Sequence, residues 1–135
     1  MRSRRLVDTN LIVRYLVQDH EKHAQAAGKL FDACDRGDVV IVVLPTVLAE
    51  CVFVLESFYE HPRGDIASAL GRLISSPGVE IGGTTLHLDA LDRYRETKVH
   101  FVDCLVAATA AAENIPVASF DQDFRKFTDV RVETQ

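Results

Sequence analysis

The chain has 135 residues, 47% of them hydrophobic and 26% charged, a length and balance that predict one globular domain and exclude intrinsic disorder. Its net charge of −5 excludes a protein that coats nucleic acid through a general excess of positive charge. No apolar run approaches the roughly 20 residues of a membrane span, and Asp8 and Arg14 break the stretch after Arg2, Arg4 and Arg5, so no signal peptide is read and a cytoplasmic location is expected.

In chain order, short β-like runs alternate with helical ones, the pattern of an α/β fold with a largely parallel sheet. Leu6-Val7 closes a first short strand, and a helix begins near Leu11. Ala24, Ala27, Leu30, Phe31 and Cys34 follow at helical spacing and stop before Gly37. Val39 to Leu44 is a β-branched run suited to a strand covered on both faces. Two further helices are marked by Leu48, Cys51, Val52, Leu55 and Phe58, then by Ile66, Ala69, Leu70, Leu73 and Ile74. His61-Pro62-Arg63-Gly64 and Ser75-Ser76-Pro77-Gly78 read as turns, and Val79 to Ile81 as a weaker strand. Leu86, Ala90, Leu91 and Tyr94 mark another helix. The Ala-rich segment Val102 to Asn114 marks the last, ended by Asn114 and Pro116. Ile115 to Ser119 and Val130 to Val132 complete the strands. Cys34, Cys51 and Cys104 are odd in number, lack C-x-x-C spacing and sit among apolar helical residues, so they are expected as reduced core side chains.

The informative residues are carboxylates in apolar settings. Asp8 directly follows the first strand, at the strand end where open α/β sheets hold ligands, and equally at the position that caps the next helix. Glu50 interrupts a helix so apolar around its circumference that burial is expected. A buried carboxylate needs a cation, hydrogen bonds or a metal, and a salt bridge to Arg14 competes with the ligand reading. Asp103 lies in the first turn of the Ala-rich helix, where the helix dipole alone favours an acid. Asp121 follows a strand end with Asp123 two residues on, and an Asx turn explains either.

Taken together, Asp8, Glu50, Asp103 and Asp121 predict one cluster. Converging carboxylates repel, a hard divalent cation relieves the repulsion, and an all-oxygen set suits Mg²⁺ or Mn²⁺ rather than zinc. The five histidines assemble no ligand pattern; His20 and His23, three apart in a charged segment, read as solvated surface.

Leu6-Val7-Asp8-Thr9-Asn10, Leu48-Ala49-Glu50-Cys51-Val52, Phe101-Val102-Asp103-Cys104-Leu105-Val106-Ala107-Ala108 and Ser119-Phe120-Asp121-Gln122-Asp123-Phe124 occur in the order and spacing of a known family. They resemble the PIN-domain ribonucleases, most nearly the VapC type, the toxin of bacterial and archaeal toxin–antitoxin pairs. The resemblance spans essentially the whole chain. It implies a single PIN-like nuclease domain over residues 1–135, built as a three-layer α/β/α sandwich with a mostly parallel sheet. It also implies Mg²⁺- or Mn²⁺-dependent endoribonuclease activity, a homodimer, and a cognate antitoxin that blocks the site. By matching motifs, Asp8, Glu50, Asp103 and Asp121 are the acidic quartet, with Thr9, Asn10 and Ser119 in support; Asp123 competes with Asp121 as fourth ligand. The chain departs from the pattern at His100, where many relatives carry a further acid, and at Ser119, where Thr is usual.

The chemistry agrees: phosphodiester hydrolysis needs an activated water and charge relief on phosphate oxygens, which carboxylate-held metal ions supply. Arg14, Arg93, Arg95 and Lys98 are candidates for assisting RNA binding, each equally readable as solvated helix face. For partners, the helices between Thr46 and Ile74 offer apolar surface, notably Phe53 and Phe58-Tyr59, whose alternative is core packing. A haloacid-dehalogenase-like phosphatase requires a second Asp where this chain has Asn10. A receiver domain requires acids just before its phosphoacceptor Asp and a late Lys after a strand, and neither is evident. A catalytically silent PIN-like binding scaffold is expected to have lost acids that this chain keeps.

Overall fold

The computed structural model describes residues 2–134, which fall into two compact units divided between Thr84 and Thr85. In the first, β1 (Ser3–Leu6) leads through α1 (Thr9–Val17) and α2 (Glu21–Asp35) to β2 (Val39–Val43), then through α3 (Pro45–Ser57) and α4 (Arg63–Ser75) to β3 (Val79–Ile81). β2 lies between β1 and β3 and runs parallel to both, with Ser3 opposite Val39 and Ile41 opposite Val79. The strand order is an unbroken 1-2-3 progression, and among the connecting helices α1 packs against both α2 and α3. The β-branched run makes β2 the core strand: Val40, Ile41 and Val43 are buried. It ends one residue earlier than predicted, because Leu44 is the extended residue that precedes Pro45 at the start of α3.

The predicted turn at Ser75 to Gly78 closes where the Val79 amide donates to the Ser76 carbonyl at 3.1 Å. Gly78 has φ +86°, and a Cβ there would lie 2.8 Å from Cys34 Sγ and 3.3 Å from the Cys34 carbonyl oxygen. Gly78→Ala therefore combines left-handed strain with a clash in the core, and a loss of about 1–3 kcal/mol is expected in denaturant unfolding. An unchanged unfolding midpoint would show that the turn relaxes freely.

The second unit holds α5 (Thr84–Glu96), which begins at the boundary, α6 (Phe101–Glu113), β4 (Val117–Ser119), a 3-10 turn (Gln122–Lys126) and β5 (Val132–Thr134). β4 and β5 are parallel, with Val117 opposite Val132. β4 begins after Pro116 rather than at Ile115, whose amide instead closes the helix end on the Ala110 carbonyl. β5 starts two residues later than the predicted start at Val130, because the Val130 amide is taken by a turn to the Phe127 carbonyl. Arg93 holds that connection down: its guanidinium donates to Asp89 at 3.1 Å and to Asp129 at 2.8 Å and lies over the Phe127 ring.

The alternation of helices and strands is that of the α/β class expected, and every strand pair among the described residues is parallel. All three cysteines are free and buried, as expected. Among the described residues no helix is long and apolar enough to cross a membrane.

Candidate active site

β1 delivers Asp8 to its carboxyl end, and the extended backbone of Asp8 lets its carboxylate accept the Leu11 amide at 2.9 Å. Asp8 thus caps α1 while its side chain remains exposed, so the cap does not use up the carboxylate. Asp8, Thr9, Asn10 and Glu50 line one open cleft of about 370 Å³, together with Thr46, Val47 and Val54. The three α3 neighbours were not singled out in the sequence, although they stand four and three residues before Glu50 and four after it, on the same helical face.

Glu50 is exposed, which corrects the expectation that α3 buries it. α3 turns Leu48, Cys51, Val52 and Leu55 inward, and Glu50 lies two residues from both Leu48 and Val52, about 200° around the helix. The Arg14 bridge is also corrected: Arg14 pairs with Asp19 at 2.8 Å, and the Tyr59 hydroxyl donates to the same carboxylate at 2.8 Å. The negative field of the acid pair registers on the side chain beneath it. The Cys51 thiol is pushed up to about 12, chiefly by burial and further by the charges of Glu50 and Asp8.

The other predicted acids belong to the second unit. His100 occupies the N-cap position of α6 and Asp103 lies in its first turn, half-buried beside the inward face of Phe101, Cys104, Ala107 and Ala108. Ser119 ends β4 and its hydroxyl accepts the Asp121 amide at 2.9 Å, while the Asp121 carboxylate accepts the Asp123 amide at 2.8 Å. The Asx turn is therefore real, and it fixes Asp121 at the head of the 3-10 turn. Asp123 faces Lys126 at 3.4 Å, an i,i+3 contact between two solvent-accessible side chains.

The Asp103 carboxyl is held above the ordinary carboxylate range, first by burial and then by Asp121, with His100 opposing and Asp123 adding to the rise. A carboxyl whose folded pKa lies above its unfolded value, about 3.9, contributes stability below that value and loses it as pH climbs through the folded one. Metal-free Asp103→Asn protein is thus expected to melt above wild type near pH 7 and level with it near pH 3. Equal melting at both pH values would remove the repulsion from the account.

Among the described residues no three His, Cys, Asp or Glu side chains stand close enough together to hold a metal ion. The donor set still fits a hard cation, for every candidate ligand is a carboxylate and the charge crowding at Asp103 is of the sign that a cation relieves. Of the proposed RNA-binding cations, Arg14 and Arg93 are committed to internal carboxylates, while Arg95 and Lys98 are exposed. His20 and His23 are exposed and stacked, and His20 Nδ1 accepts the His23 amide at the start of α2.

Residues 5–130 match the family model for the PIN domain. Among solved structures, VapC20 of Mycobacterium tuberculosis, described as a sarcin–ricin-loop-cleaving toxin, is 24% identical, with 96% of this chain and 99% of that one covered at a TM-score of 0.44. VapBC2 of Rickettsia felis, bound to a DNA fragment from its promoter, is 19% identical, with 99% and 98% covered at a TM-score of 0.41. A search of curated proteins finds no match.

Proposed function

The chain belongs to the PIN domain family, and on that footing we propose that it is a Mg²⁺- or Mn²⁺-dependent endoribonuclease, the toxin of a type II toxin–antitoxin pair, acting in the cytoplasm. The observation that carries the reading is the cleft in which Asp8, from the end of β1, and Glu50, from α3, face solvent beside Thr9 and Asn10. The family match runs through both units and includes all four acids, which supports reading residues 1–135 as one nuclease domain. It also leaves no place for the haloacid-dehalogenase alternative.

In this reading Asp8, Glu50, Asp103 and Asp121 are the metal ligands and the catalytic acids, with Thr9, Asn10, Ser119 and Asp123 in support. Bound Mg²⁺ or Mn²⁺ would supply a water acidic enough to attack at neutral pH and charge relief on the phosphate. The carboxylates hold that charge in place and keep the phosphate backbone away when no cation is present. Ser119 and the Asp123 amide hold Asp121 in its turn, and the Leu11 amide holds Asp8.

Self-association and a cognate antitoxin complete the proposal. Phe58 is 77% exposed, with Tyr59 edge-on against it, and is apolar surface that a partner would cover. The test of the function is cleavage of single-stranded and structured RNA with Mn²⁺, with Mg²⁺ and with EDTA. Cutting that stops on chelation is expected. Cutting that persists undiminished in EDTA refutes the metal mechanism, and no cutting under any condition favours the silent scaffold.

A further inference from the structure

Phe120 stands out among the apolar side chains: at 82% exposure it has the largest fraction of its surface open among the large hydrophobic residues described. It sits between Ser119 and Asp121, in the turn closed by the Asp121 amide on the Ser119 hydroxyl, so its backbone is held on both sides while its ring projects into solvent. It lines none of the apolar groove formed by Val102, Val106, Ile115 and their neighbours, and Gln122 beyond Asp121 is exposed and polar. A protein interface gains from contiguous apolar surface. A single fixed phenyl ring among polar groups, adjoining a candidate metal ligand, matches the face of one nucleobase.

We propose that Phe120 is a stacking platform for one unpaired base of the RNA beside the scissile phosphate. The proposal rests on the nuclease reading for the identity of the ligand. A base inside a duplex has both faces occupied, so paired RNA cannot use the ring without being opened. Because stacking does not depend on charge, it also gives an acidic protein a hold on RNA that salt does not screen.

The chain contains no Trp, so Phe120→Trp introduces a sole tryptophan at the platform. In the Asp8→Asn background with Mg²⁺, its emission is expected to be quenched by a non-self-complementary single-stranded RNA decamer at a concentration at least about fivefold lower than by the blunt duplex of the same strand. In the otherwise wild-type protein, Phe120→Ala is expected to raise KM for the single strand by about 5- to 150-fold, the range that losing one stacked base implies. The change in kcat should be smaller, and Phe120→Trp should retain KM. Equal quenching by single strand and duplex, or a Phe120→Ala KM within about twofold of wild type, overturns the platform while the nuclease reading stands. Lost self-association of Phe120→Ala with an unaltered KM assigns the ring to a protein contact and also overturns it. Selective quenching by the single strand in a protein that cleaves no RNA supports the platform and refutes the nuclease reading.

Discussion

An Asp8→Asn protein should fold as wild type does and lose RNA cleavage by about a hundredfold or more, since loss of a ligand exceeds the 10- to 100-fold cost of disturbing a ligand's outer partners. The substitution separates the two roles of this residue. Asn is as good an N-cap as Asp, so the bond from the Leu11 amide, 2.9 Å in the native protein, keeps an acceptor and α1 keeps its start. Only the charge is lost, at a cost of a few tenths to about 1 kcal/mol of helix-dipole interaction at an exposed site. Asp8→Ala adds the loss of the cap, about 1 kcal/mol more. Turnover and thermal melting of the two variants form the check. If Asp8→Asn retains near-normal turnover while Asp8→Ala loses stability, Asp8 is a cap and nothing more.

The parts of this molecule legible in its sequence are those written in local spacing. The β-branched run at Val39 and the short strand from Val79 to Ile81 were readable because nothing but a strand accommodates them between turn signals. The Ala-rich helix was readable because Asn114 and Pro116 end it. α3 departs from what its sequence pattern predicts for a physical reason. Phe53 and Val54 are apolar yet face outward, so the helix shows little difference between its faces, and Glu50 looked buried when it is exposed. Partner choice was illegible as well. Arg93 finds Asp129 at a separation of 36 residues, and Arg14 finds Asp19 rather than Glu50; no periodicity encodes either. Of the site, Asp8 with Glu50 and the Ser119–Asp121–Asp123 turn were readable as acids out of place, whereas the cleft walls Thr46, Val47 and Val54 required the helix to be built first.

Exposure of Glu50 sharpens what its replacement should do. Had Glu50 been paired with a buried arginine, Glu50→Gln would have left an uncompensated cation and cost about 3–5 kcal/mol with or without metal. Arg14 is engaged by Asp19, and Glu50 faces the cleft beside Asp8, so the substitution instead removes one of two neighbouring negative charges. In EDTA the Glu50→Gln protein is therefore expected to melt at or slightly above the wild-type temperature. In Mn²⁺ the order should reverse, because a ligand stabilises the folded state only in proportion to its affinity for it. At a hundred times the dissociation constant that stabilisation is about 2.7 kcal/mol, and a hundredfold loss of affinity removes nearly all of it. Four melts decide the matter: wild type and Glu50→Gln, each with chelator and with Mn²⁺. A metal-dependent rise in the wild type that shrinks in Glu50→Gln supports the ligand role. A large loss that is the same in EDTA and in Mn²⁺ rules it out, because an absent metal cannot account for destabilisation of a protein that never bound it.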